Sequence, residues 1–527
     1  MTGFPSEVDV AVVGAGAAGI GAAQRLREAG TVSTVVLEAR DRVGGRVHTI
    51  APAGFPLDRG AEWLHSADRN PLSPIAQRLG FSVRRRPPEW TTRLRRSGET
   101  IEAEGEWIAL REAQRLARHR AATEAEDGSL AAVLQPGGRW NELLEARDRV
   151  GGRVHTIAPK GFPLDRGAEW LHSADRNPLS SIARSLGFSI HRRPPEWTTR
   201  LRRSGETIEA EAEWIALREA QSRARRQAAA EPADRSLVSL LSPGGRWNPL
   251  LDATSTWGNG AELDRVSVKD NVRYEDSGTN WRLGEGYGRL IETLAEGLPM
   301  SREAPVSWVD HRGRQIRLET ARGTVSAARA IVTVPTSIIA QEVMRFDPAL
   351  PDKLAAAAGL PLGVDDKLFI SLKGPIPGLE DGSYLVGSTT SRETMSYQVR
   401  PLDRPAVYCF CGGRFAAALE REGEGAMFDF AAGELTRLLG SDVRKRMAPL
   451  ASTAWLQDPW ARGSYSYALP GHADDRAVLA APVDDRLFFA GEACSPNFFS
   501  TAHGAWLSGI AAAEAALASL RPAAADR

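Results

Sequence analysis

The stretch from Val8 to Arg46 constrains the fold most. Val8 to Val13 is an apolar run of strand length, and Gly14, Gly16 and Gly19 follow in G-x-G-x-x-G spacing. Ala17 to Glu28 has helix-forming composition, Gly30 stops the helix, and a second strand from Val32 to Leu37 ends in Glu38. In such a unit the first glycine makes the tight turn, the second lets a pyrophosphate approach the backbone, and the third lets helix pack on strand. The helix N-terminus then faces the phosphates. Glu38 stands 19 residues after Gly19, where a carboxylate accepts from both ribose hydroxyls and repels a 2′-phosphate. The spacing predicts dinucleotide binding and disfavours NADP.

The next segment, Glu38-Ala-Arg40-Asp-Arg42-Val-Gly44-Gly45-Arg46, separates flavin from nicotinamide. Two glycines and a fixed cation suit a second backbone approach to the pyrophosphate, with Arg46 as charge partner. This segment resembles the flavin-containing amine oxidoreductases, the family of monoamine oxidases, polyamine oxidases and histone-lysine demethylases, whose pattern is an acid followed by R-x-G-G-R.

The chain has 527 residues, 42% of them hydrophobic, enough for two or three lobes with sizeable cores. Lys+Arg and Asp+Glu number 66 each, so no global field attracts nucleic acid or acidic membranes. Cys409, Cys411 and Cys494 are too few for a disulfide framework and lack zinc spacing, so reduced buried thiols and no metal are expected. The first strand follows within eight residues with no basic n-region, no apolar run reaches transmembrane length, and the last residues are Pro522-Ala-Ala-Ala-Asp-Arg527. A soluble cytoplasmic protein with no membrane partner is the expectation.

Residues 38–144 recur as residues 145–251 at a constant offset of 107, with 87 of 107 positions identical. Six of the 20 differences fall in residues 38–104 and 14 in residues 105–144. Two long copies do not make a solenoid, which stacks several short units, so the pattern reads as one tandem duplication. The glycine loop is present once, so only one dinucleotide site can be completed, and removing one unit of 107 from 527 leaves 420 residues for the parent fold. The chain can follow copy one to any position and resume at the equivalent position of copy two. Glu38 continues the strand Val35-Val36-Leu37, whereas Glu145 follows Asn141-Glu-Leu-Leu144, which lacks β-branched residues. The first copy is therefore expected at the cofactor, with the excursion leaving from a surface loop such as Glu124 to Gly138. Two other readings stay open: a repeat without function, and a surplus unit that forms an interaction surface or swaps between protomers.

Within each copy, Arg59-Gly60-Ala61-Glu62-Trp63-Leu-His65, repeated as Arg166 to His172, resembles the polyamine oxidase segment that lines the flavin. The resemblance places Trp63 and His65 at the active site; a buried tryptophan and a solvated histidine would explain them structurally. Residues 105–122 and 212–230 read as Arg-rich amphipathic helices of a substrate lobe.

From residue 252 the chain is single-copy. Gly284 to Leu290 resembles the family's G-Y-G-x-L helix start, a backbone group at Val306 would hold the adenine, and Ala330 to Pro335 would return to the nucleotide-binding sheet. Lys367 lies in an apolar strand after Phe346-Asp-Pro-Ala-Leu-Pro351; in the family this lysine holds a water against flavin N5, while a solvent-facing lysine on an edge strand is the structural alternative. Trp455 and Tyr465 match the segment passing the flavin face. Ser464 stands where the monoamine oxidases carry a flavin-linking cysteine, so non-covalent FAD is implied. Thr501 replaces the second aromatic of an amine cage. Gly491-Glu492 and Thr501-Ala502 resemble the F-A-G-E strand and T-x-H-G-A helix start, with Glu492 on ribityl hydroxyls and the helix N-terminus on the pyrimidine edge of the flavin.

The resemblance implies a Rossmann-like, discontinuous FAD-binding domain of the GR2 type with a mixed α+β substrate-binding lobe. Residues 1–70, 252–335 and 456–527 are expected in the first, residues 71–144 and 336–455 in the second, and residues 145–251 are surplus or shared with the first copy. The implied cofactor contacts are Gly14, Gly16, Gly19, Glu38, Arg40, Gly45, Arg46, Gly60, Ala61, Glu62, Trp63, Val306, Gly491, Glu492, Thr501 and Ala502. The implied catalytic residues are Lys367, Tyr465, Trp455, Thr501 and His65. The implied reaction removes hydride from the carbon beside an amine nitrogen, giving an imine, with O2 reoxidising the flavin to yield peroxide. Polyamines or secondary amines rank first as substrates, then primary monoamines, then L-amino acids, for which no pocket cation is evident. A flavin dehydrogenase or desaturase, and a catalytically impaired interaction protein, are the competing readings.

Overall fold

The computed structural model describes residues 7–30, 32–42, 49–50, 57–58, 64–66, 142–192, 200–296, 298 and 300–520. Strand β1 (Glu7–Val13), helix α1 (Ala17–Ala29) and strand β2 (Thr34–Leu37) form the predicted βαβ unit. β1 and β2 pair parallel, with Val10 opposite Thr34 and Val12 opposite Val36, and α1 is the crossover that a parallel pair requires. The helix ends at Gly30, whose φ of +64° is the left-handed conformation that glycine adopts without a Cβ penalty.

β1 sits inside a mixed ten-stranded sheet. Its other neighbour is the parallel strand Gly323–Val332, which pairs in turn with Leu487–Phe489. Successive β1 side chains alternate faces: Val10 and Val12 pack with Ile20, Leu26 and Trp506, while Ala11 and Val13 pack with Leu318 and Val332. A strand buried on both faces reads as a continuous apolar run, which explains the lack of alternation in its sequence. Helix Ala502–Leu520 crosses α1 closely enough that a Cβ on Gly509 would meet the Ala18 carbonyl.

The second sheet is antiparallel, in the order Tyr384–Val386, Ser396–Val399, Ala406–Gly412, Asp365–Leu372, Met447–Ser452. Asp365–Leu372 has a neighbour on each side, so Lys367 is not on an edge strand and its side chain is buried. Helices Gly413–Glu422 and Glu424–Leu439 flank this sheet, and Leu435, Ile370, Val407 and Cys409 share one core. The Arg-rich helix of the second copy runs Ile208–Ala229 and packs Trp214 against Trp247 at 5.5 Å; its counterpart at residues 105–122 lies outside the described residues.

The junction between the repeats departs from expectation. Glu142–Asp148 is a strand of the main sheet despite its lack of β-branched residues. Pairing there uses backbone groups, so tertiary contact overrides a weak propensity. Leu144 pairs with Ser301, and so does Leu37, its equivalent before copy one. Beyond this strand the fold is continued by the second copy, through the hairpin Thr156–Ile157 and Leu164–Asp165, the strand His172–Ala174 and the helix Pro178–Ser185. Short first-copy strands pair with second-copy ones: Ala39 lies opposite Ala146, Leu64 opposite His172, and Asp58 opposite Thr156. The expected crossing at Glu124 to Gly138, which lies outside the described residues, is thus replaced by one directly after Glu38.

Deleting Ala39 to Glu145 joins Glu38 to Ala146 and keeps every described cavity-lining residue. The shortened protein is expected to fold with an unfolding midpoint no lower than that of the full chain, measured by calorimetry. Insoluble or molten protein would show that the first copy is needed for the fold.

Candidate functional site

A cavity of about 630 Å³ extends from the glycine loop of the main sheet to Lys367 on the antiparallel sheet, within the size range of ligand sites. At the loop, Gly14 has φ +100° and lies against Thr333, whose hydroxyl donates to the Val13 carbonyl at 2.7 Å. A Cβ on Gly19 would meet the Gly14 carbonyl, so the third glycine sets the approach of helix to strand. α1 starts after Gly16 with no side-chain cap and no acid in its first turn, which leaves the positive end of its dipole directed at the cavity. Glu38 closes this end: Oε2 accepts from Ala15 N at 2.6 Å and Oε1 from Arg147 N at 2.9 Å. Burial pushes its carboxyl well above the ordinary range. Val306 also lines the cavity.

A buried ionic network lies at the cavity wall. Arg153 places its guanidinium on Glu492 Oε1 at 2.8 Å and donates to the Ser464 carbonyl. Glu492 Oε2 accepts from Ser466 Oγ at 2.6 Å and Ser500 N at 3.0 Å. Arg476 donates to Ser466 Oγ at 3.0 Å and grips Asp270 through Nε and NH2 at 2.7 and 2.8 Å. Charge-assisted, bidentate bonds of this kind hold buried ions in one geometry.

Arg153 is the second-copy equivalent of Arg46. Gly152, Gly167, Ala168, Glu169, Trp170 and His172 likewise line the cavity. Gly45, Arg46, Gly60, Ala61, Glu62 and Trp63 lie outside the described residues, and Arg40 and His65 fall on the short strands Ala39–Arg42 and Leu64–Ser66. From sequence, the first copy is expected to supply the arginine and the R-G-A-E-W segment; among the described residues it is second-copy Arg153 and Gly167 to Trp170 that stand at the cavity, with Arg147 N on Glu38.

Lys367 donates three hydrogen bonds, to the Asp165 carbonyl at 2.8 Å, the Gly167 carbonyl at 2.6 Å and Glu169 Oε2 at 2.8 Å. An ammonium has three donors, so Lys367 reaches any further acceptor only by releasing one of these. Burial pushes its ammonium down to about 7, against the pull of Asp165 and Asp365. Glu169 is also paired with Arg282, whose guanidinium stacks 4.0 Å from the Trp170 ring centroid.

Trp455 lines the cavity and donates from Nε1 to the Arg166 carbonyl at 3.3 Å. Tyr465 lines it too, its hydroxyl 3.2 Å from the Trp257 carbonyl. Thr501 uses its hydroxyl oxygen to accept from Gly504 N at 3.0 Å, capping the helix that begins at Ala502. His172 bonds Asn280 Oδ1 at 3.2 Å, and burial pushes it down to about 4. Sequence reasoning missed Arg282 and Asp365. Asp365 was within reach of it, because residues two apart on a strand share a face and Lys367 had already been singled out; Arg282 carried no such signal.

The sequence model of a family described as flavin containing amine oxidoreductase matches residues 17–126 and 129–517. Polyamine oxidase 4 of Oryza sativa subsp. japonica is 29% identical over 408 residues, covering 71% of this chain and 82% of that protein. Polyamine oxidase 2 of Arabidopsis thaliana is 28% identical over 427 residues, covering 73% and 85%. A solved putrescine oxidase bound to putrescine superposes with a TM-score of 0.63 at 18% identity, covering 98% of this chain and 100% of that one, and so shares its fold.

Glu169 holds two buried cations. Replacing it with leucine strands both Lys367 and Arg282, and is expected to lower unfolding free energy by about 3–5 kcal/mol in urea titrations. A loss below about 1 kcal/mol would show that the pairing contributes little.

Proposed function

Because the chain belongs to the flavin-containing amine oxidoreductase family, we propose that it is an FAD-dependent amine oxidase with non-covalent FAD and a polyamine or another secondary or primary amine as substrate. The carrying observation is one cavity joining an uncapped glycine-loop helix to a buried lysine on a second sheet.

The residues present suit FAD. Gly14 and Gly16 leave room for backbone approach, Glu38 suits the ribose, Val306 the adenine, Arg153 the pyrophosphate, Glu492 the ribityl hydroxyls, and the helix start at Thr501 and Ala502 the pyrimidine edge. Ser464 has no thiol to form a thioether link; its hydroxyl donates to the Gly363 carbonyl at 2.9 Å. When bound, the flavin would supply the acceptor for the hydride on the carbon beside nitrogen and would pass the electrons to O2, giving imine and peroxide.

The chain's own part is to orient the amine and exclude water. Trp257, Tyr274, Tyr384, Phe410 and Tyr465 give the Lys367 end of the cavity an aromatic lining, which favours a neutral amine over an ammonium. The polyamine oxidases of rice and Arabidopsis support the choice of substrate. Among the described residues no helix is long and apolar enough to cross a membrane. Three free, buried cysteines suit a reducing compartment, in keeping with a cytoplasmic enzyme.

Purified full-length protein is expected to show a flavin spectrum, to release the flavin on acid precipitation, and to produce peroxide with polyamines. Reduction of an artificial dye without peroxide would indicate a dehydrogenase, and a colourless protein would refute the proposal. Arg153→Ala is expected to lose most of the flavin, whereas Arg46→Ala keeps it; the reverse result would return the site to the first copy.

A further inference from the structure

Asp365 opens the strand Asp365–Leu372 two residues before Lys367, and both line the cavity. Its carboxyl lies beside the Tyr465 hydroxyl, and its Oδ1 is buried with no hydrogen-bond partner among the described residues. Asp165 Oδ2 and Asp366 Oδ2 are likewise without a partner among the described residues, but neither residue lines the cavity, and the cavity-lining Glu169 and Glu492 are engaged. Glu169 holds Lys367, Glu492 holds Arg153, and Asp165 accepts from Thr156 Oγ1 at 2.5 Å. Asp366, the next residue along, uses Oδ1 to accept from Thr453 Oγ1 at 2.6 Å and Trp455 N at 3.2 Å. A buried carboxyl oxygen without a donor carries a desolvation cost that a ligand donor relieves. Asp365, Lys367 and Tyr465 line the same cavity, so a ligand donor for this oxygen would come from the end assigned to the amine.

We propose that Asp365 is the proton acceptor for the substrate, binding the incoming ammonium through Oδ1 and taking one proton from its nitrogen. The N–H bond breaks, an O–H bond forms on Asp365, and the electron pair stays on nitrogen, so the amine reacts in its neutral form. The proton then passes to solvent. This inference rests on the reading of the cavity as an amine-oxidising site.

The titratable groups facing Asp365 are Lys367 on its own strand, Tyr465 from the segment crossing the strand's start, and the Cys411 thiol on the adjacent strand. Burial pushes the Asp365 carboxyl up to about 8, while Lys367 and Tyr465 hold it lower than burial alone would. The base form is therefore present above about 8 and lost as pH falls, and an arriving ammonium extends it to lower pH.

The test compares wild type with Asp365→Asn, an isosteric change, after flavin content and unfolding midpoint confirm that both are intact. With a strongly basic amine, kcat/KM of the wild type is expected to rise with pH through about 8. In the variant the rise moves toward the amine's own ionisation, near 10, which lowers kcat/KM about 100-fold at pH 8. A β,β-difluorinated amine, already neutral at pH 8, is expected to be oxidised by both proteins to within about threefold. tert-Butylammonium, which has no α-hydrogen, is expected to raise the unfolding midpoint of the wild type and not of the variant. Equal losses with both amines, or an unmoved pH profile, would overturn the proposal by reducing Asp365 to a structural residue. If flavin-loaded wild type oxidises neither amine, the reading of the cavity fails, and this proposal with it.

Discussion

The carboxylate of Glu38 is the joint on which the rest of the structure depends. One oxygen accepts from Ala15 N in the glycine loop and the other from Arg147 N, 109 residues further along the chain. A buried carboxylate accepting two backbone donors fixes both segments, because breaking either bond leaves a buried polar group unsatisfied. The loop, the end of β2 and the returning chain are therefore held in one arrangement. That arrangement presents second-copy Arg153 to Glu492, which brings the helix Ala502–Leu520 and the Ser464–Ser466 segment to the same wall.

The far end of the cavity is governed by charge. Lys367, Glu169 and Arg282 are buried together under aromatic rings, where low dielectric strengthens every pairing and makes any unpaired ion expensive. Lys367 gives its three N–H bonds to protein oxygens. Asp365 keeps an oxygen without a donor, so the two groups divide the work: one is committed to holding the Asp165–Glu169 segment in place, and the other is available to a ligand.

The repeat shows how topology chooses between identical sequences. Both copies carry G-G-R and R-G-A-E-W-L-H, so local sequence cannot tell them apart. The second copy is followed directly by the single-copy remainder of the chain, and its segments pair with it: Leu171 with Trp281, and Ile190–His191 with Arg282–Leu283. The first copy is separated from those partners by a further 107 residues, and its short strands pair with second-copy strands.

What the sequence by itself determined was local. The βαβ unit follows from apolar runs and glycine spacing, the helix stop from Gly30, and the strand around Lys367 from its apolar neighbours; each depends on φ/ψ preference and periodicity, which short segments carry within themselves. Gly14, Gly16, Glu38, Val306, Lys367, Trp455, Tyr465 and Glu492, all singled out from sequence, line one cavity. Only the tertiary structure decided that second-copy residues line that cavity, that Glu142–Asp148 joins the main sheet, and that Arg282 and Glu169 lock Lys367 while Oδ1 of Asp365 has no partner among the described residues. Those outcomes depend on hydrogen bonds and ion pairs between residues that are distant in sequence, such as the 198 residues between Glu169 and Lys367, and no local pattern encodes which of two identical segments will be close enough to make them.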